Sequence, residues 1–174
     1  MKGEARPVPP DPRAPGHTLK GGIEQFEWAP APYASAALSI LAALVHLWMM
    51  PEFFERRLWT YGSFFLVAAI AQGLHGMLVL RWPGRPLVLA GIFGNFTIVA
   101  LYVVTRTAGI PFFGPYAWEV QQISALDLTA TAAEVALISV LAMLLEGALR
   151  AKIINVLFVL GIVVWVLGLI GILT

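Results

Sequence analysis

Three charges stand where hydrocarbon tolerates them least. Arg106 closes one apolar run, Asp127 opens the next, and Glu134 lies about two turns inside that second run. Asp127, Thr131 and Glu134 are spaced i, i+4, i+7, which on a helix draws one polar stripe. A carboxyl group inside a membrane span is expensive, so it turns toward a partner, a cavity or an ion path. At the depth of Glu134 it needs either its own proton or a cationic neighbour, and His46 is the candidate neighbour. Asp127 also has a plainer reading, because a negative charge in the first turn of a helix complements the helix dipole. Arg106 either snorkels to the interface or pairs with Asp127 or Glu119.

Further polar residues fall at comparable depth. Gln72 and Asn95 lie within about two turns of the centre of their runs. Asn95, Val99, Tyr102 and Arg106 share one helical face, and Ser35, Ser39 and His46 roughly share another. The expected pocket is therefore His46, Gln72, Asn95, Tyr102, Arg106, Asp127, Thr131 and Glu134. The bland alternative makes Gln72 and Asn95 interhelical hydrogen-bond glue, worth about 0.6 kcal/mol each.

A hard or borderline cation would find oxygen and nitrogen ligands in His46, Glu52, Glu55, Asp127 and Glu134, although no HExxH or EF-hand spacing sharpens that reading. The stretch PEFFERR at 51–57 reads otherwise as an interfacial turn solvating its own charges. A haem on His46 or His75 is a third candidate. Helix rise separates those two residues by roughly 15 Å along the membrane normal, too far for one iron held from both faces.

These residues need a membrane scaffold, and the chain supplies one. Five apolar runs, at about 33–50, 59–80, 87–105, 124–146 and 153–173, each approach the ~20 residues that a helix needs to cross the hydrocarbon core. Trp28, Tyr33, Trp48, Trp59, Tyr61, Trp82, Tyr116 and Trp118 lie near their ends, where amphipathic rings prefer the headgroup level. Pro51, WPGRP at 82–86 and GIPFFGP at 109–115 are expected to break the helices. The fold expected is all-α, one integral membrane bundle of about five helices over 33–174. Before it, residues 1–32 hold seven of the twelve prolines and read as a disordered tail in which His17 is a solvated bystander. No apolar segment follows Lys2 and Arg6, so the tail does not read as a signal peptide.

Composition agrees with lipid. Of 174 residues, 59% are hydrophobic and 12% charged, with a mean hydropathy of +0.82; soluble domains carry about 25% charged residues. A net charge of +1 without a basic cluster gives no case for nucleic acid. The absence of cysteine removes disulfides, thiolate metal sites, iron–sulfur clusters and cysteine nucleophiles. Neither internal lysine falls mid-span, which excludes a retinal Schiff base.

Eight Lys and Arg residues fall on one side, in the tail, the 81–86 turn and the 147–152 turn; Arg56, Arg57 and Arg106 fall on the other. Positive charge stays in the cytoplasm, so the N-terminus is expected inside and the C-terminus outside. Helix 5 has no ionisable residue beyond Lys152, and its Gly161, Gly168 and Gly171 suit close packing against a membrane-protein partner.

The pattern H-x-W-x-M-P-E-x-F-E at 46–55, Gln72, T-R-T-x-G-x-P-F-x-G-P at 105–115, and then Asp127 and Glu134 resemble a group of small bacterial polytopic membrane proteins. The resemblance covers about residues 40–146. It implies a bacterial cytoplasmic membrane and no particular activity.

Three functions compete on this reading. The first is an outward-facing pocket that binds or moves a proton, a metal ion or a small polar molecule. The second is a membrane redox protein or subunit holding haem or metal on His46 or His75. The third is a structural or assembly subunit whose polar stripes only join helices. No catalytic residue is identifiable from the sequence, and whether the chain is an enzyme stays open at this point.

Overall fold

The computed structural model describes residues 30–109 and 117–173, with side chains to residue 166. The expected tail, apart from its last three residues, and residues 110–115 of the 105–115 motif lie outside the described residues.

Five helices follow one another: α1 (Pro30–Glu55), α2 (Trp59–Arg81), α3 (Arg85–Thr107), α4 (Ala125–Met143) and α5 (Gly147–Leu173). They run 19 to 27 residues, each long and apolar enough to cross a membrane. The chain is an all-helical integral membrane protein. Large apolar side chains on every helix stand exposed, among them Trp48, Val67, Phe93, Val135 and Phe158. In water such a surface would aggregate, whereas in a bilayer it is the solvent-facing side.

Two helix boundaries depart from the sequence expectation. Pro51 does not end α1, which continues one more turn to Glu55. The added turn is held from outside. Phe53 stacks on Phe65 at 4.8 Å and lies 6.0 Å from Tyr61, while Phe54 meets Trp59 edge-on at 5.3 Å. A Schellman motif then closes the helix: Leu58 N donates to Phe53 O (2.8 Å) and Arg57 N to Phe54 O (3.0 Å), with Arg57 in the left-handed region at φ 58°.

The second departure is the turn expected at 147–152. It occupies only 144–146, and α5 begins at Gly147. Arg150 belongs to the first turn of α5 and reaches back across the corner. Its Nε donates to Leu145 O (2.7 Å) and its Nη2 to Met143 O (3.2 Å), which satisfies carbonyls that the end of α4 leaves free. The charge that marked a loop in the sequence is therefore a cap.

α1 packs along α2 and α4, α3 along α4, and α5 lies outside against α3 and α4. The interior is layered along the bundle. At the end holding the 82–84 and 144–146 turns the core is apolar, built from Ala36, Val79, Val88, Ile92, Leu137, Leu141 and Leu145. Arg85 and Glu146 pair at 3.0 Å across these two turns, an exposed contact worth little energy that nevertheless joins them on one face. The middle layer is polar. The opposite end, between the α1–α2 turn and the α3–α4 connection, opens into a cavity.

Candidate functional site

The middle layer takes one polar side chain from each of four helices. His46 on α1 and Glu134 on α4 meet at 2.9 Å between Nε2 and Oε1, with side-chain exposures of 4% and 1%. Gln72 on α2 donates from Nε2 to Glu134 Oε1 (3.1 Å) and to Asn95 Oδ1 on α3 (2.9 Å). Asn95 in turn donates to Gly91 O, one turn back on its own helix (2.7 Å). The carboxyl group is thus held by a ring and an amide while a single proton lies on the His46–Glu134 bond. Either partner can carry that proton, because an imidazole nitrogen and a carboxyl oxygen each donate or accept according to protonation.

His75 stands apart from this group. Ser39 Oγ donates its one hydrogen to Gln72 O (2.7 Å), so its 3.3 Å contact with His75 Nδ1 is accepted from the ring. On the other side His75 Nε2 presses against α3. A Cβ on Gly91 would fall 2.3 Å from that nitrogen, so only glycine lets the ring in. The two histidines therefore stay at different levels, His75 beside Ser39 and His46 seven residues further along α1, about 10 Å by helix rise. His46 Nε2 is bonded to Glu134, and His75 Nε2 abuts Gly91.

Toward the open end, Arg106 Nη2 donates to Asp127 Oδ2 at 2.6 Å, and its Nη1 to Thr105 Oγ1 at 3.1 Å. Of the two partners expected for Arg106, Asp127 holds it. Asp127 also fulfils its helix-start role. Its Oδ2 accepts from Ser124 N and its N–H donates to Ser124 Oγ, both 3.1 Å, forming a capping box on α4. The guanidinium lies 5.0 Å from the centre of the Tyr102 ring, within cation–π range. Gln121 N donates to Thr105 O (2.9 Å), and Gly109, at φ 71°, lies against the backbone of Trp118, so the described parts of the α3–α4 connection fold back over the end of α3.

Between the mid-layer pair and this ion pair lies a cavity of about 100 Å³. His46 and Glu134 line one part of it, and Tyr102, Arg106, Asp127 and Thr131 another. Of the eight pocket residues expected from sequence, these six face the cavity, while Gln72 and Asn95 stand behind Glu134 and orient it. The remaining wall is mostly apolar and aromatic, with Met49, Phe53, Tyr61, Phe64, Phe65, Ile98 and Leu101, and the polar Thr105 and Gln121 join it at the open end. Sequence reasoning missed this wall. Phe64 and Phe65 sit in a run where any apolar residue fits lipid, and Phe53 belongs to a stretch that reads as an interfacial turn.

The five residues considered for a cation do not converge. Glu52 pairs with Arg56 one turn on, at 2.7 Å and more than 60% exposed, while Phe53 rather than either glutamate turns inward. Among the described residues no three His, Asp or Glu side chains are placed to share a metal. For Glu52 the physical reason is its i, i+4 relation to Arg56, just past the end of α1, which directs the carboxylate along its own surface.

Several buried polar atoms lack a protein partner among the described residues. His46 Nδ1, Tyr102 Oη and Arg106 Nε all belong to cavity-lining side chains, and Gln72 Oε1 lies just behind. An unsatisfied buried polar group costs about 1–3 kcal/mol, so each of these atoms calls for a partner. Set against family models, curated proteins and solved structures, the chain matches none.

Proposed function

We propose that this protein is a binding or carrier protein of the bacterial cytoplasmic membrane, whose cavity faces outward and takes a small molecule beside the proton shared by His46 and Glu134. The single observation that carries the reading is the buried 2.9 Å imidazole–carboxyl bond lining a cavity that also has unpartnered polar atoms. Joining two helices needs only neutral amides of the Gln72–Asn95 kind, so an ionisable pair at this depth is an expense that proton handling explains. Orientation rests on the positive-inside rule. Arg81, Arg85, Arg150 and Lys152 cluster at the closed end, and Arg56, Arg57 and Arg106 at the cavity end, which leaves the N-terminus inside. A proton or a small molecule suits the cavity better than a metal ion, given the ligand set described above.

Thermal melting of the protein in nanodiscs tests this with three one-ring probes: duroquinone, benzoate and benzylamine. At least one should raise the melting temperature, and the rise should depend on pH, because the pair lining the cavity shares a proton. Glu134→Gln keeps shape and hydrogen bonding while removing the ionisable group, so it should fold normally and lose that pH dependence. No stabilisation by any probe, or an unchanged pH dependence in both Glu134→Gln and His46→Ala, would sink the reading.

A further inference from the structure

Resting on that reading, we infer that the cavity's ligand is an uncharged one-ring molecule carrying carbonyl oxygens, of the quinone head-group class, drawn from the membrane itself.

Charge comes first. The ionisable groups that line the cavity are already matched, Arg106 with Asp127 at 2.6 Å and His46 with Glu134 at 2.9 Å. An anion or a cation entering the cavity would add an unmatched charge in a low-dielectric setting, which is strongly unfavourable. A neutral ligand adds none.

Hydrogen bonding sets the functional group. Arg106 Nε is a donor with no acceptor capacity, and its partner must therefore offer a lone pair. Tyr102 Oη stands on the same helix, one turn from Arg106, with the guanidinium over its ring. The Tyr102 hydroxyl can donate or accept, so an acceptor oxygen on the ligand satisfies both atoms. On the other side of the cavity His46 Nδ1 is free to donate or accept as the proton on its ring moves. A ring with carbonyl oxygens at opposite ends presents an acceptor to each side.

Shape sets the rest. About 100 Å³ is smaller than the roughly 150 Å³ of a cavity that takes benzene, so a ring fits with its substituents lying in the open mouth. Phe53 and Phe65 stack at 4.8 Å and 22°, and His46 tilts against Phe65 at 5.5 Å, so one side of the cavity is a ring-faced wall suited to offset stacking.

The route from lipid follows from how α2 and α3 meet. They touch in the middle and closed-end parts, at Gln72–Asn95 and His75–Gly91. Beyond Asn95, Phe64 on α2 and Leu101 on α3 both border the cavity and are only partly buried. A ligand with an apolar substituent can leave it in the hydrocarbon between these helices.

Duroquinone binding to protein-loaded nanodiscs, corrected for partition into empty ones, tests the inference. Saturable binding is expected to the wild type and to Glu52→Gln, whose side chain is on the surface. Tyr102→Phe keeps the ring under Arg106 and deletes the hydroxyl, and should bind about tenfold more weakly. Ile98→Trp fills the cavity and should abolish binding, with melting curves confirming that both variants are folded. Equal binding to wild type, Tyr102→Phe and Ile98→Trp would place duroquinone elsewhere and overturn the inference. So would no binding above empty nanodiscs. Saturable binding of benzoate or benzylamine in its place, lost in Ile98→Trp, would refute the ligand class while leaving the proton-linked pocket intact; silence from all three probes would remove both.

Discussion

At the scale of single residues, the packing of α2 on α3 depends on one position with no side chain. Gly91 lets His75 lie against α3, and its missing Cβ would also stand 2.7 Å from Leu141 Cδ1. Ring and leucine belong to a packed interior that cannot shift far. Gly91→Ala is therefore expected to destabilise the protein by about 1–3 kcal/mol through overpacking. Gly94→Ala, one turn along α3 with nothing within 4 Å, should be neutral or slightly stabilising. Reversible unfolding in detergent compares them, and an equal effect of the two would show that His75 does not sit against Gly91. The sequence offered both glycines on equal terms. Only the neighbour across the helix interface distinguishes them.

At the scale of elements, the extra turn of α1 shows local rules being outvoted. Proline lacks the N–H that the helix needs at residue 51, so sequence logic ends the helix there. One lost hydrogen bond near a terminus is offset by the aromatic contacts of Phe53 and Phe54 with α2. The Schellman closure that follows uses Arg57 in a conformation costing an L-residue about 1 kcal/mol. Arg57→Gly removes that strain and gives up part of the gain to the greater freedom of the unfolded chain. Its melting temperature should equal or exceed that of the wild type, whereas Arg57→Val should melt lower. A clear loss with glycine would mean that residue 57 does not close α1 in the left-handed region. The capping box at Ser124 and Asp127 is the opposite case: a local signal that the fold uses as written, and then uses again to hold Arg106.

At the scale of the whole molecule, the interior runs from an apolar end through a polar layer to an open cavity, while α5 stands outside with nearly all of its described length exposed. Lipid gives no hydrophobic drive to helix association, so the bundle depends on packing and on the hydrogen bonds of the middle layer. The proposed orientation puts the cavity outside and the two ends of the chain on opposite sides of the membrane. A reporter enzyme active only outside should work when fused after Thr174 and fail when fused ahead of Met1. Activity at both ends, or the reverse pattern, would refute the orientation.

The sequence by itself determined the solvent and the element list. Five apolar stretches of spanning length can satisfy their backbone hydrogen bonds in lipid only as helices, and this holds whatever the tertiary arrangement. It also identified the costly residues, because a polar group at mid-span stands out against 59% hydrophobic composition. It named His46 as the candidate partner of Glu134 but could not fix the pairing, since the two are 88 residues apart and any of several helix orders would bring a carboxyl to some partner. Nor could it separate cavity wall from lipid-facing surface. Phe64, Phe65, Ile98 and Leu101 are apolar in both roles, and in a membrane the outside of a protein is as apolar as its inside. That choice belongs to helix packing alone. Packing turned an apolar stretch into the wall of a site, and it kept Glu52 and Glu55 out of that site.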